Sequence, residues 1–197
     1  KSEYLSDNDL MYINKKKKLI FNSNSCLSNT FDKGIKITVD LENQKKIIAF
    51  RAKKNTKPII FSRVNYYKIE NYWISIKYNT SNLTINKNNF YILKSKEKIS
   101  IPNYLAGEMV PYDTGIGDFR AHYAGFFDPG FGDPHGSYAV LEVKTNEIPF
   151  ILEDGQTIAR IKYEKLNKKS NIVYGKNIKS NYQNQGLKLS KHFVNDE

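Results

Sequence analysis

The chain has 197 residues, 40% hydrophobic and 26% charged, with a net charge of +11. That length holds one substantial domain with its own core, and no stretch reaches the roughly 18 consecutive apolar residues of a membrane span. A single cysteine, Cys26, excludes an internal disulfide and a cysteine-based metal cluster.

These features predict a soluble, cytoplasmic protein that contacts no membrane. The first residue is Lys1, which leads us to expect a processed form or a fragment of something longer. The positive charge invites a nucleic-acid reading, but the lysines are scattered among asparagines and isoleucines, as in Lys15 to Lys18, Lys45-Lys46 and Lys168-Lys169. A dispersed charge of this kind reads as a solvated surface, so no nucleic-acid partner is expected.

In chain order, Ser6 to Asn14 reads as a short helix capped by Ser6 or Asp7, with Leu10 and Met11 facing inward. Runs rich in Ile, Val, Tyr and Phe follow: Ile35 to Leu41, Ile47 to Ala52, Tyr72 to Tyr78, Phe90 to Leu93, Phe119 to Tyr123, Tyr138 to Val143 and Thr157 to Tyr163. Several alternate with period two, and Gly, Pro or Asn separates them, so they read as strands. The whole predicts a mainly β fold, a sandwich or barrel with few short helices, over residues 1–166. Residues 167–197 turn to Lys, Asn, Ser, Gly and Gln and read as a tail with little to bury, disordered or ordered by what it covers.

Some chemistry is excluded by missing motifs. A zinc deaminase needs His-x-Glu and Pro-Cys-x-x-Cys, whereas His122, His135 and His192 are followed two residues on by Ala124, Ser137 and Val194. No phosphate-binding G-x-x-x-x-G-K-[ST] loop occurs, Gly115 and Gly117 lack the third glycine of a dinucleotide fingerprint, and there is no G-x-S-x-G nucleophile elbow.

What remains is concentrated between Asp118 and Val143. In a strand from Tyr138 to Lys144, Tyr138, Val140, Glu142 and Lys144 share one face, and Ala139, Leu141 and Val143 the other. A carboxylate set among apolar neighbours has its ionised form disfavoured, which raises its pKa toward the range of a general acid/base. A strand-end glutamate in water, or paired with Lys144, fits the same residues. Arg120 and His122, spaced by two, share a face on the preceding strand. They could stabilise developing negative charge, or form the solvated face of an antiparallel sheet. Between the strands, Phe126 to Gly136 is a Gly/Pro turn with aromatics that pack on a flat ligand or plug the core.

Five segments carry a resemblance: A-G-E-M-V-P-Y-D-T (Ala106 to Thr114), F-R-A-H-Y-A-G-F-F-D-P-G-F-G (Phe119 to Gly132), A-V-L-E-V (Ala139 to Val143), P-F-I-L-E-D-G-Q (Pro149 to Gln156) and S-N-Y-Q-N-Q-G-L-K-L-S-K-H-F (Ser180 to Phe193). Together they resemble the dCTP deaminases, in particular the C-terminal half of the double-length bacterial form. The first half of the chain agrees more loosely, through Phe50 to Lys54 and Phe90 to Leu93.

The resemblance implies a dUTPase-like β-clip or distorted barrel that deaminates dCTP to dUTP and ammonia without zinc. It assigns Glu142 as the proton-transferring acid and base, the Ala124 carbonyl as a holder of the attacking water, and Asp128 to the deoxyribose. Val140 and Leu141 fall beside the substrate with Glu142. Tyr174 and Gln185 match the spacing of residues on a lid that closes over the triphosphate, which recasts the polar tail as that lid. Lys179 and Lys188 stand near the phosphates, and Mg2+ would accompany the triphosphate.

Nucleotides of the dCTP, dUTP and dTTP type and a trimer-based homo-oligomer are the implied partners, with a missing N-terminal half as a further one. Shorter members carry Ser-Ser-x-x-Arg where this chain has Pro111 to Gly115. In the double-length form the other half carries that motif, which implies a site shared between halves; alternatively Arg120 and His122 substitute. A dUTP pyrophosphatase or bifunctional enzyme of the same fold, and a non-catalytic nucleotide-binding half, fit the same resemblance.

Overall fold

The structure is a computed structural model that describes residues 4–21, 30–42, 47–79, 82–112, 125–145, 148–176, 180, 183 and 186–194, and the backbone of 119–122. Helix α1 (Asp7–Lys16) forms where the sequence predicts it. The Ser6 hydroxyl accepts from the Asp9 amide at 3.2 Å, while the Asp9 carboxylate accepts from the Ser6 amide at 3.2 Å. This reciprocal cap satisfies two donors that the first turn leaves open. Asp7 accepts from the amides of Lys33 and Gly34, and Leu10 is fully buried, so the helix is pinned at its start and along its inner face.

The strands are β1 (Ile20–Phe21), β2 (Ile35–Thr38), β3 (Ile47–Ala52), β4 (Trp73–Lys77), β5 (Asn82–Ile85), β6 (Phe90–Ile99), β7 (Leu105–Pro111), β8 (Phe119–His122), β9 (Phe126–Phe127), β10 (Ser137–Thr145), β11 (Phe150–Glu153) and β12 (Thr157–Lys165), with a short helix α2 (Ile69–Tyr72) ahead of β4. The fold is therefore mainly β with few helices, as the periodicity predicts. All strand pairs within the sheets are antiparallel. One six-stranded sheet runs β4-β3-β6-β10-β8, with β1 also on β6; a four-stranded sheet runs β2-β12-β7-β9; and β11 pairs with β5.

Strand β10 lies between β6 and β8, and its burial alternates along its whole length. Ala139, Leu141 and Val143 are fully buried and join the main core with Leu93, Ile99 and Ile161. The opposite face carries Tyr138, Val140, Glu142 and Lys144, which are half-buried. The β6–β10 register shifts between Tyr138 and Val140. There the Ala139 amide donates instead to Ser95 Oγ at 2.9 Å, and Ser95 in turn donates to the Glu97 carbonyl. A side chain thus satisfies the backbone donor that the bulge takes out of the ladder.

Glu97 ties two sheets together. Its carboxylate accepts from the Thr38 amide at 2.9 Å and the Thr38 hydroxyl at 2.6 Å. Burial pushes the carboxyl above the ordinary carboxylate range, and the Thr38 hydrogen bonds offset part of that rise.

A second, smaller apolar cluster forms from Phe50, Tyr67, Ile92, Leu189 and Phe193, with Tyr72, Trp73 and Phe90 against it. From the C-terminal segment, Leu189 and Phe193 enter this cluster and are 3% and 2% exposed. The segment is held as an added strand would be. Asn65 and Tyr66 donate from their amides to the carbonyls of Lys191 and His192, Val194 donates to the Tyr67 carbonyl, and Tyr67 forms a parallel bridge with Phe193. His192 Nε2 donates to the Phe61 carbonyl at 3.0 Å, which leaves Nδ1 to accept from the Ser190 hydroxyl.

Candidate functional site

The polar face of β10 forms one wall of an open cavity of about 340 Å3, lined there by Val140 and Glu142. Register explains the neighbouring wall. Glu142 pairs with Ile92 of β6, and Trp73, Phe90 and Ile92 all line the same space. Cross-strand partners project to the same side of a sheet, so β6 sets apolar surface on one side of the carboxylate.

The Gly/Pro turn after β9 supplies the opposite wall through Phe126, Phe127, Asp128 and Phe131. Hydrogen bonds from the Gly130 amide to the Ile101 carbonyl and from the Ile101 amide to the Phe131 carbonyl fix this turn. Gly130 has φ of +102°, and a Cβ there would stand 2.3 Å from Val173 Cγ1. Only glycine allows residues 173–174 to approach so closely. The Tyr174 amide accordingly donates to the Pro129 carbonyl at 2.9 Å, and the Tyr174 ring packs against Phe131 with centroids 5.9 Å apart.

Lys188, Leu189 and Ser190 close the cavity from the C-terminal segment. Asp128 is exposed, Lys188 is half-buried and the ring of Phe126 is 74% exposed, so the cavity opens toward solvent at its charged end. A flat, largely apolar ligand with an anionic extension fits this arrangement of aromatic walls, one half-buried carboxylate and one half-buried lysine.

Of the residues singled out in the sequence, Val140, Glu142, Asp128, Tyr174 and Lys188 meet in this cavity. Leu141 does not: its side chain is fully buried on the core face, because successive strand residues alternate sides, so only its backbone faces the pair strands. The β8–β10 register sets His122 opposite Glu142 and Arg120 opposite Lys144. Their side chains, and all of Ala124, Lys179 and Gln185, lie outside the described residues.

Sequence reasoning missed Trp73, Phe90, Ile92, Leu189 and Ser190 as wall residues. The only local signal was the period-two spacing of Leu187 and Leu189 in the tail, which marks a short extended segment with one apolar side. Among the described residues no group of three or more His, Cys, Asp or Glu is placed to hold a metal ion, and no helix is long and apolar enough to cross a membrane.

An antiparallel β scaffold bearing a carboxylate in an aromatic-walled cleft is the class that this geometry defines. The chain belongs to the family described as 2'-deoxycytidine 5'-triphosphate deaminase (DCD), C-terminal domain, whose model matches residues 6–193. Among solved structures it is similar to the 2'-deoxycytidine 5'-triphosphate deaminase from Agrobacterium tumefaciens, with 33% identity and a TM-score of 0.79 over 90% of this chain. The match covers 52% of that protein, so the chain spans about half its length. A search of curated proteins gave no significant match.

Proposed function

We propose that this chain is the C-terminal half of a dCTP deaminase and that its cavity holds the pyrimidine of dCTP for hydrolysis to dUTP and ammonia. The observation that carries this reading is the position of Glu142, on the half-buried face of β10 with Ile92, Trp73 and Phe90 around the same cavity. Family membership and the similarity to a dCTP deaminase support the substrate class.

The chemistry follows from one carboxylate serving two proton transfers. Water attacks the ring carbon bearing the exocyclic amine, and Glu142 takes one water proton and passes it to the adjacent ring nitrogen as the carbon becomes tetrahedral. Glu142 then takes the proton of the new hydroxyl and delivers it to the amine nitrogen, the C–N bond breaks, and ammonia leaves as the ring carbonyl forms. Asp128, at the open end, contacts the deoxyribose. Lys188 supplies positive charge to the phosphates, which enter as their magnesium complex with the metal carried by the nucleotide.

This chain has Pro111 to Gly115 where shorter enzymes of this kind carry a serine and an arginine, and on this reading either residues from another half of the protein complete the site or Arg120 and His122 take their place. The assay therefore uses the full-length gene product. Incubated with dCTP it should release ammonia and dUTP in equal amounts. Glu142→Gln should lower kcat by about 10²- to 10⁴-fold, the span ascribed to a general acid/base, with nucleotide binding largely kept. Full activity of that variant sinks the assignment of Glu142, and release of pyrophosphate without ammonia transfers the protein to dUTP hydrolysis.

A further inference from the structure

A second cavity, of about 820 Å3, lies on the other side of the small aromatic cluster and is lined by Lys53, Lys54, Lys57, Arg63 and Lys68. No Asp or Glu occurs between residues 53 and 68, and none lines the cavity. Among the described residues none of these cations forms an ion pair. Elsewhere Lys17, Lys94, Lys96 and Arg160 are matched with Asp133, Asp40, Asp154 and Asp32. Other lysines without an ion pair are scattered along the chain; what sets these five cations apart is that they line one concave space.

The loop is shaped to hold these charges in place. Asn55 and Asn65 adopt left-handed backbone conformations, with φ of 58° and 49°, which reverse the chain at either end; asparagine is among the few residues that take this conformation readily. The Tyr67 hydroxyl accepts from the Ile60 amide at 2.8 Å and anchors the middle of the loop. Lys53 Nζ donates to the Glu70 carbonyl at 2.5 Å, a contact that fixes the ammonium without neutralising it. Arg63 stacks over the Tyr66 ring at 4.4 Å, which orients its guanidinium and leaves its edge N–H groups available.

We propose that this basic cavity binds a polyphosphate chain, free or as the 5'-polyphosphate of a nucleotide, at a site separate from the cavity of Glu142. Cations held close together repel one another, and a multivalent anion is the ligand that relieves this repulsion while bridging them. The volume suits one mononucleotide-sized ligand, and Tyr66, Tyr67 and Tyr72 offer aromatic surface beside the charges.

Aromatic contacts connect the two cavities. Tyr67 and Tyr72, which line the basic one, pack on Phe193 with centroids 6.4 and 5.6 Å away, and Phe193 packs on Trp73, which lines the other.

Calorimetric titration of the full-length protein with inorganic tripolyphosphate tests this, with a purine nucleoside triphosphate and a single-stranded oligonucleotide as parallel arms. Tripolyphosphate should bind, and the exposed double variant Lys57→Glu, Arg63→Glu should weaken it by about tenfold or more, while Lys188→Ala in the first cavity changes it by less than about twofold. Comparable binding by tripolyphosphate and nucleotide assigns the site to the phosphate chain alone, and tighter binding by the nucleotide adds the tyrosines; both support the proposal. It is overturned if neither ligand binds at millimolar concentration, if binding depends on Lys188 and ignores the double variant, or if the oligonucleotide alone binds with a steep salt dependence. A melting curve of the double variant shows whether the fold is intact, and Glu142-dependent deamination is scored separately, so failure here leaves the proposed reaction standing.

Discussion

Phe193 meets Trp73 edge to face, with ring centroids 6.0 Å apart and an interplanar angle of 79°. Through this contact the C-terminal segment rests on β4, and the residues just before it, Lys188 to Ser190, are set in the wall of the cavity. The position of Lys188 is thus governed by aromatic packing several residues away.

Phe193→Ala should consequently act at a distance. Removing a buried phenylalanine costs about 3 kcal/mol or more, and here the loss falls on a segment whose other anchors are Leu189, the His192 contact and backbone hydrogen bonds to residues 65–67. The expected result is a red shift of Trp73 emission, faster amide exchange at Tyr67 and Val194, and a raised KM for dCTP. Unchanged exchange at those amides would argue that the segment is held by its backbone hydrogen bonds alone.

Lys188→Ala should separate binding from chemistry. A cation placed on the phosphates acts alike on bound substrate and transition state, so KM should rise by about tenfold while kcat changes little. Steady-state kinetics at two ionic strengths provide the check, since the wild-type KM should be the more salt-sensitive of the two.

Gly130→Ala should be more harmful than its size suggests. The new methyl group meets Val173 Cγ1 at 2.3 Å and the Tyr174 amide at 2.9 Å, in a backbone conformation that favours glycine. Strain of this kind costs on the order of 1–3 kcal/mol. Thermal melts should record that loss, and dCTP affinity should fall with it as Tyr174 is displaced from Phe131.

Glu97 makes a prediction about pH. Its folded carboxyl is raised above the ordinary value by burial, so between the unfolded pKa near 4.5 and the folded one the native state binds more protons than the unfolded state. Its contribution to stability is therefore fullest at acid pH and declines as pH rises through that window. Glu97→Gln, which can keep both hydrogen bonds to Thr38, should remove the decline and be neutral or stabilising at pH 7. Parallel melting curves from pH 4 to 8 measure the difference; a variant that loses stability equally at every pH would assign Glu97 a purely hydrogen-bonding role.

The legible parts of the fold were those set by local periodicity. Ile47 to Ala52 is β3 residue for residue, and the alternation around Glu142 foretold which face of β10 turns from the core. Strand β7 went unrecognised because Gly107 and Pro111 interrupt its apolar positions, although Leu105, Gly107 and Met109 alternate into the core. The aromatic wall of the cavity was illegible for a different reason. Trp73 and Ile92 reach Glu142 only through pairings between strands far apart in sequence, and nothing local marks Phe193 as a core residue, because the surface it covers is built from Tyr67, Tyr72 and Trp73. Leu141 shows the complementary limit, in that a motif names neighbouring residues together whereas a strand sends them to opposite sides.

That division along β10 has a consequence for anyone redesigning this protein. The same strand is packed without gaps on one side and carries the proposed proton-transfer group on the other, with Ser95 patching the bulge at Ala139. Libraries that diversify β10 would therefore confound altered selectivity with misfolding. The productive positions for recoding ligand preference are Phe126 on β9 and Ser190 on the C-terminal segment, which line the cleft and lie outside both apolar clusters.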